Sequence, residues 1–116
     1  MQVQLNTDTH VQGHGSMAAW AQAELSDRLS RYRDHITRIE VHLSDENAGR
    51  SGDADKRCTL EARLAGRPPL TVSHDAARVA DALHGAADRL RRALDADFGR
   101  MRDAGGRTTI RGALPS

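Results

Sequence analysis

Residues 36–44 read ITRIEVHLS. Ile39, Val41 and Leu43 alternate with Arg38, Glu40 and His42. In an extended chain successive side chains point to opposite faces, so this stretch has one apolar and one charged face. That is the pattern of a sheet strand packed on one side and wet on the other.

The pattern recurs on the C-terminal side. Residues 45–55 are polar, contain glycine and lack periodicity, which predicts a mobile loop between strands. From Arg57 to Leu64, Cys58, Leu60, Ala62 and Leu64 share a face opposite Thr59, Glu61 and Arg63. Gly66, Pro68 and Pro69 then predict a turn, and Leu70 to Ser73 a short strand. On the N-terminal side Val3 and Leu5 alternate with Gln2, Gln4 and Asn6, predicting a first strand. Thr7 to Gly15 is turn-like. Ser16 is placed to cap a helix over residues 17–34, whose apolar stripe is Ala21, Leu25, Leu29, Tyr32 and Ile36.

The last helix is predicted from near Asp75. Val79, Leu83, Ala87, Leu90, Leu94 and Met101 form its apolar face, with Phe98 at the margin. Gly105 and Gly106 are expected to end it. The order is β-α-β-β-β-α. Each strand has one apolar face and each helix one apolar stripe, which predicts a two-layer α/β (α+β) fold, a four-stranded sheet with two helices packed on one face. The chain is expected to form a single domain over residues 1–103, followed by a disordered tail over 104–116.

Composition narrows the function. Seventeen basic and sixteen acidic residues leave a net charge of +1, so an anion-binding surface requires segregated charge. Lys56 is the only lysine, so nearly every cation is an arginine, a planar donor fork suited to phosphate. Aromatics are 3% of the chain, so the core is aliphatic. A single cysteine, Cys58, excludes an intrachain disulfide, and strand parity turns it inward. Neither a signal peptide nor an apolar run of membrane-spanning length is visible, so a cytoplasmic protein without a membrane partner is expected. The six histidines and Cys58 show no metal-ligand spacing, and no nucleophile is paired with a base. The expectation is therefore no enzyme, no cofactor and no metal.

The last helix carries a hidden charge asymmetry. With Leu83 at the centre of the buried face and about 100° per residue, Arg78, Arg89 and Arg100 fall on one flank, with Arg92 close by. Ala82, Gly85, Ala93 and Ala96 are expected between them, leaving room for a phosphate backbone. Asp81, Asp88 and Asp95 mark the other flank. These same charges also fit a solvated helix with internal pairs such as Asp88 with Arg92. The first helix adds Arg28 and Arg31 on a flank shared with His35. Trp20 lies on the outer side, where stacking on a base competes with packing against the other helix. Lys56 and Arg57 sit where the loop enters the third strand. Phosphate contact and discouragement of edge pairing suit them equally.

The stretches ITRIEVHLSDEN (36–47), DKRCTLEARLAGRPPLTVSH (55–74) and HGAADRLRRAL (84–94), in this order, resemble the bacterial hibernation-promoting factors and ribosome-associated inhibitors of the sigma-54 modulation protein family. The likeness runs from about Met1 to Met101 and is to the short, stand-alone kind. It implies a β-α-β-β-β-α ribosome-binding domain. Such a domain binds small-subunit ribosomal RNA of the 16S type near the decoding centre and silences or preserves idle ribosomes under stress. It implies phosphate contacts from both helices, here Arg28, Arg31, Arg78, Arg89, Arg92 and Arg100, with Lys56 and Arg57 beside them. DNA binding is not expected, and a monomer is favoured. Asp95 and Asp97 depart from the strongly basic last helix of the family, a departure that bears on the affinity and on the exact contact set. Two other readings are a double-stranded-RNA-binding-like module and a stress module that binds protein through the acidic flank.

Overall fold

The computed structural model describes residues 1–7, 15–45 and 55–113, and side chains up to residue 99. The elements run β1 (Gln2–Thr7), α1 (Gly15–Arg28), a 3-10 turn (Ser30–Tyr32), β2 (Ile36–Asp45), β3 (Lys56–Leu64), β4 (Arg67–Ala76) and α2 (Val79–Ala113). The four strands form one sheet in the order β1-β2-β3-β4. β1 runs parallel to β2, with α1 as the crossover that a parallel pair requires, and the other neighbours are antiparallel. α1 lies over β1, α2 lies over β3 and β4, and the helices touch. The predicted two-layer architecture is the one observed.

The core is the meeting of the periodicities. Ile39, Val41 and Leu43 of β2, and Cys58, Leu60, Ala62 and Leu64 of β3, are buried against Ala21 and Leu25 of α1, Leu29 just beyond it, and Leu83, Ala87, Leu90 and Leu94 of α2. Burial pushes the Cys58 thiol up to about 12, so it packs as a small apolar group and is no nucleophile at neutral pH. The opposite face of the sheet carries Gln4, Arg38, His42, Thr59, Glu61 and Arg63, each exposed or half-buried.

Several boundaries differ from the sequence reading, each for a local reason. α1 stops at Arg28 rather than continuing to residue 34, and it starts at Gly15, so Ser16 lies inside the first turn rather than capping it. Beyond α1 the chain tightens, with Tyr32 N–H donating to Leu29 O and His35 N–H to Tyr32 O. Apolar residues three and four apart suit both helix types, so the stripe could not reveal the change. β4 runs for ten residues instead of four, and the two prolines lie inside it. β4 is an edge strand, where a missing N–H costs no ladder bond, and the register shifts beside the prolines between Ala62 and Leu64. Only Ala65 and Gly66 remain as the turn, Gly66 at φ 70°. Asp75, expected to open the helix, instead pairs across the sheet with Arg57, and α2 starts four residues later. α2 also passes through Gly105 and Gly106 to Ala113, taking in most of the segment predicted as a disordered tail. Glycine weakens a helix by about 1 kcal/mol but keeps its N–H donor, so it does not by itself end one.

The predicted loop over 45–55 is shorter at both ends. Asp45 closes β2 and Asp55 precedes β3, and both are buried. Lys56 Nζ lies 3.4 Å from Asp45 and 3.1 Å from Asp55, a cation between two carboxylates at the mouth of the connection. Its hydrogen bond to Asp55 raises the lysine above its ordinary value, and the charges of Asp45 and Asp55 add to this. Residues 46–54, on which the expected mobility rests, lie outside the described residues, as do two of the six histidines, His10 and His14. Replacing Lys56 with methionine should leave two buried carboxylates facing each other and lower the Tm. The deficit should shrink from neutral pH to about pH 4, as protonation relieves the repulsion. Thermal melts at the two pH values check this, and an equal deficit at both would refute the clamp.

Candidate nucleic-acid interface

The arginines are held on the molecule by a helix and a sheet edge that meet. Arg78 is exposed immediately before α2, and its carbonyl accepts the N–H of Ala82 in the first helical turn. A cation there sits at the positive end of the helix dipole, where folding gains nothing from it. Arg89 and Arg92 are exposed further along α2. Arg100 lies on the same helix, but its side chain falls outside the described residues. Arg89 is brought to Arg57 of β3, and with Ser73, His74 and Asp75 of β4 they line a cleft of about 320 Å³. The sequence singles out Arg57 by strand entry alone, and the fold joins it to the helix stripe.

Within the cleft, Arg57 Nε donates to Asp75 Oδ1 at 2.8 Å and Arg57 Nη2 to Asp75 Oδ2 at 3.2 Å, a two-pronged grip. These bonds, and then the charges of Arg57, His74 and Arg89, hold the Asp75 carboxyl below its ordinary range. Ser73 and Thr59 join their hydroxyls at 3.2 Å in the adjacent row. His74 packs on Gly85 so closely that a Cβ there would stand 2.0 Å from the ring. Its Nδ1 is buried with no hydrogen-bond partner among the described residues.

The small-residue stripe is only partly as predicted. Ala82 is fully buried in the core rather than standing between arginines, and Gly85 is covered by His74. α2 packs on both the sheet and α1, which widens its buried face beyond one stripe. Ala93 is half-buried and Ala96 exposed.

The other predicted cations have identifiable neighbours. Arg92 bonds Asp88, the local pairing that the spacing allowed, and Arg91 donates to the same carboxylate at 2.8 Å. The bonds from Arg92 and Arg91 hold Asp88 down to about 2, so it stays ionised until the pH falls well below 3.8. On α1, Arg28 Nε lies 3.4 Å from Glu24. Arg31 is exposed, 3.8 Å from Asp95. Lys56 is engaged by the two buried carboxylates. Trp20 packs against α2, its ring 6.2 Å from that of His84, and His84 Nε2 lies 2.7 Å from Glu24 Oε1.

Asp95 and Asp97, which in sequence interrupt a basic helix, tie it down instead. Tyr32 donates its hydroxyl proton to Asp95, and Arg67 donates to Asp97 while lying 4.2 Å over the Phe98 ring. Phe98 also stacks on Tyr32 at 5.2 Å and meets His35 at 4.9 Å. Both aspartates thus hold the helix on the 3-10 turn and the β3–β4 hairpin. Among the described residues no group of three metal-ligating side chains forms, and no helix is long and apolar enough to cross a membrane.

A two-layer α+β domain with arginines gathered along the junction of its last strand and last helix is the class that fold and site define. The chain belongs to the family described as sigma 54 modulation protein / S30EA ribosomal protein, whose model matches residues 6–102. It is thus a member of a ribosome-associated family concerned with hibernation and the regulation of translation, not known as a family of enzymes. Two solved structures are similar in fold. The N-terminal domain of Thermus thermophilus Protein Y is 21% identical, with 81% of this chain and 96% of that one covered and a TM-score of 0.62. A ribosomal subunit interface protein from Coxiella burnetii is 15% identical, with 85% and 99% covered and a TM-score of 0.64. No curated protein matches the chain.

Proposed function

We propose that the domain over residues 1–103 binds the RNA of the small ribosomal subunit near the decoding region, as a cytoplasmic monomer. It silences or preserves idle ribosomes by occupying the place of messenger and transfer RNA. The observation that carries this is the convergence of Arg57 with Arg89 at the β4–α2 junction, flanked by exposed Arg78 and Arg92. Four cations, from β3, the β4–α2 connection and α2, give a charged edge that the net charge of +1 conceals. Arg28 at the end of α1 and Arg31 in the 3-10 turn extend the surface, and Arg100 belongs to it on α2. Lys56 supports the surface from within, by fixing the start of β3 beside Arg57. Binding is by charge neutralisation and steric occupancy, with counterion release as a driving term. The ribosomal family and the Coxiella relative's description as a subunit interface protein support this reading.

Competition tests it. Labelled full-length chain bound to purified small subunits should resist an excess of free duplex RNA and be displaced by unlabelled chain. Equal displacement by duplex RNA would mean a general duplex-binding module, and retention only by ribosomal proteins stripped of RNA would mean a protein-binding module.

A further inference from the structure

We propose that the β4–α2 cleft is a phosphate subsite filled in the free protein by its own carboxylate, so that Asp75 competes with an RNA phosphate for the Arg57 fork. The inference rests on the RNA-binding reading above and concerns its regulation.

Three observations carry it. The Arg57–Asp75 grip has the two-pronged geometry that a guanidinium offers equally to carboxylate and phosphate. The pair is open to solvent, the side chains being 46% and 39% exposed, so an incoming anion can reach it. A second arginine, Arg89, arrives from a different element and lines the same cleft. Arg57 and Arg89 thus both border the cleft that holds Asp75, and a phosphodiester seated there would meet both guanidiniums. The Ser73 hydroxyl on the cleft wall can donate a further hydrogen bond. The Asp88 pairs differ, since Arg91 and Arg92 both reach Asp88 within one turn of the same helix.

Asp75 then has two effects. It keeps Arg57 extended across the edge strand, ready to bind, and it lowers affinity by repelling phosphate. Removing the charge while keeping the shape should tighten binding, whereas a carboxylate that merely positioned the arginine would weaken binding on its removal.

The test is the affinity of the full chain for purified small subunits at near-physiological salt, for wild type, Asp75→Asn and Asp34→Asn. Asp34 lies just before β2, at the opposite end of the sheet, and controls for overall charge. Asp75→Asn should bind roughly threefold to tenfold tighter, while Asp34→Asn stays within about twofold of wild type. Equal or weaker binding by a folded Asp75→Asn variant would overturn the proposal, as would an equal gain from Asp34→Asn. A second measurement uses wild type alone: titration with inorganic phosphate, monitored through the Nε–H signals of the arginines. Arg57 and Arg89 should shift together. An unmoved Arg57 signal would overturn the proposal even if Asp75→Asn failed to fold. If wild type does not bind small subunits, the ribosomal reading fails, and the phosphate titration still decides the cleft.

Discussion

Replacing Gly85 with alanine is expected to destabilise the domain by about 1–3 kcal/mol, a fall in Tm of roughly 4–12 °C. The sign is unusual, because glycine to alanine inside a helix normally gains about 1 kcal/mol. Here an added Cβ would lie 2.0 Å from Cδ2, 2.3 Å from Nε2 and 2.5 Å from Cγ of His74. Cγ lies on the axis of ring rotation, so turning the ring cannot relieve the contact. His74 would have to leave its rotamer or β4 would have to move off α2. His74→Ala together with Gly85→Ala should recover most of the loss, because the obstruction is one ring. Thermal unfolding of wild type and the two variants checks this, and a more stable Gly85→Ala would show that His74 does not seat on the helix. The cleft would be distorted in the single variant, so ribosome affinity should fall with stability.

Reversing Arg89 and Arg92 to glutamate is expected to weaken binding to small subunits on the order of 100-fold or more. A charge-assisted hydrogen bond is worth about 1.5–3 kcal/mol, and the double variant loses two while adding repulsion. Folding should survive. Both side chains are exposed: Arg92→Glu exchanges the i,i+4 pair with Asp88 for a like-charge contact, a few tenths of a kcal/mol each way by the usual helix-pair scale, and Arg89→Glu sets a solvent-screened carboxylate near Asp75. The logarithmic salt slope of binding should also become shallower by about 1.4 to 1.8. Affinity at physiological salt and circular dichroism, measured together, separate lost binding from lost fold. Undiminished affinity in the folded variant would exclude this edge as the binding surface.

The architecture was legible where physics is local and periodic. Alternation in 36–44 and 57–64 marked β2 and β3 and their inward faces, and the 3.6-residue stripe through Leu83, Ala87, Leu90 and Leu94 marked the buried side of α2. Asp88 with Arg92 was legible too, being one helical turn apart. What stayed hidden depends on register and distance along the chain. Arg57 meets Asp75 only because β3 and β4 pair as they do, and the prolines of that hairpin read as a turn rather than as an edge strand. Asp95 and Asp97 read as interruptions of a basic helix, because their partners Tyr32 and Arg67 are 63 and 30 residues away. Lys56 read as a surface cation, since nothing local shows that Asp45 and Asp55 are buried beside it. Ala82 read as a spacer because the extra width of the buried face of α2 comes from contact with α1.

The most direct test of the central claim is co-sedimentation of the tagged full-length chain with purified small subunits at two salt concentrations. The account predicts that wild type travels with the subunit at low salt and is progressively released as salt rises. If six to ten phosphate contacts form, the loss would be about a thousandfold or more between roughly 50 and 200 mM. A chain that stays at the top of the gradient at low salt, or that stays bound with no dependence on salt, would contradict it.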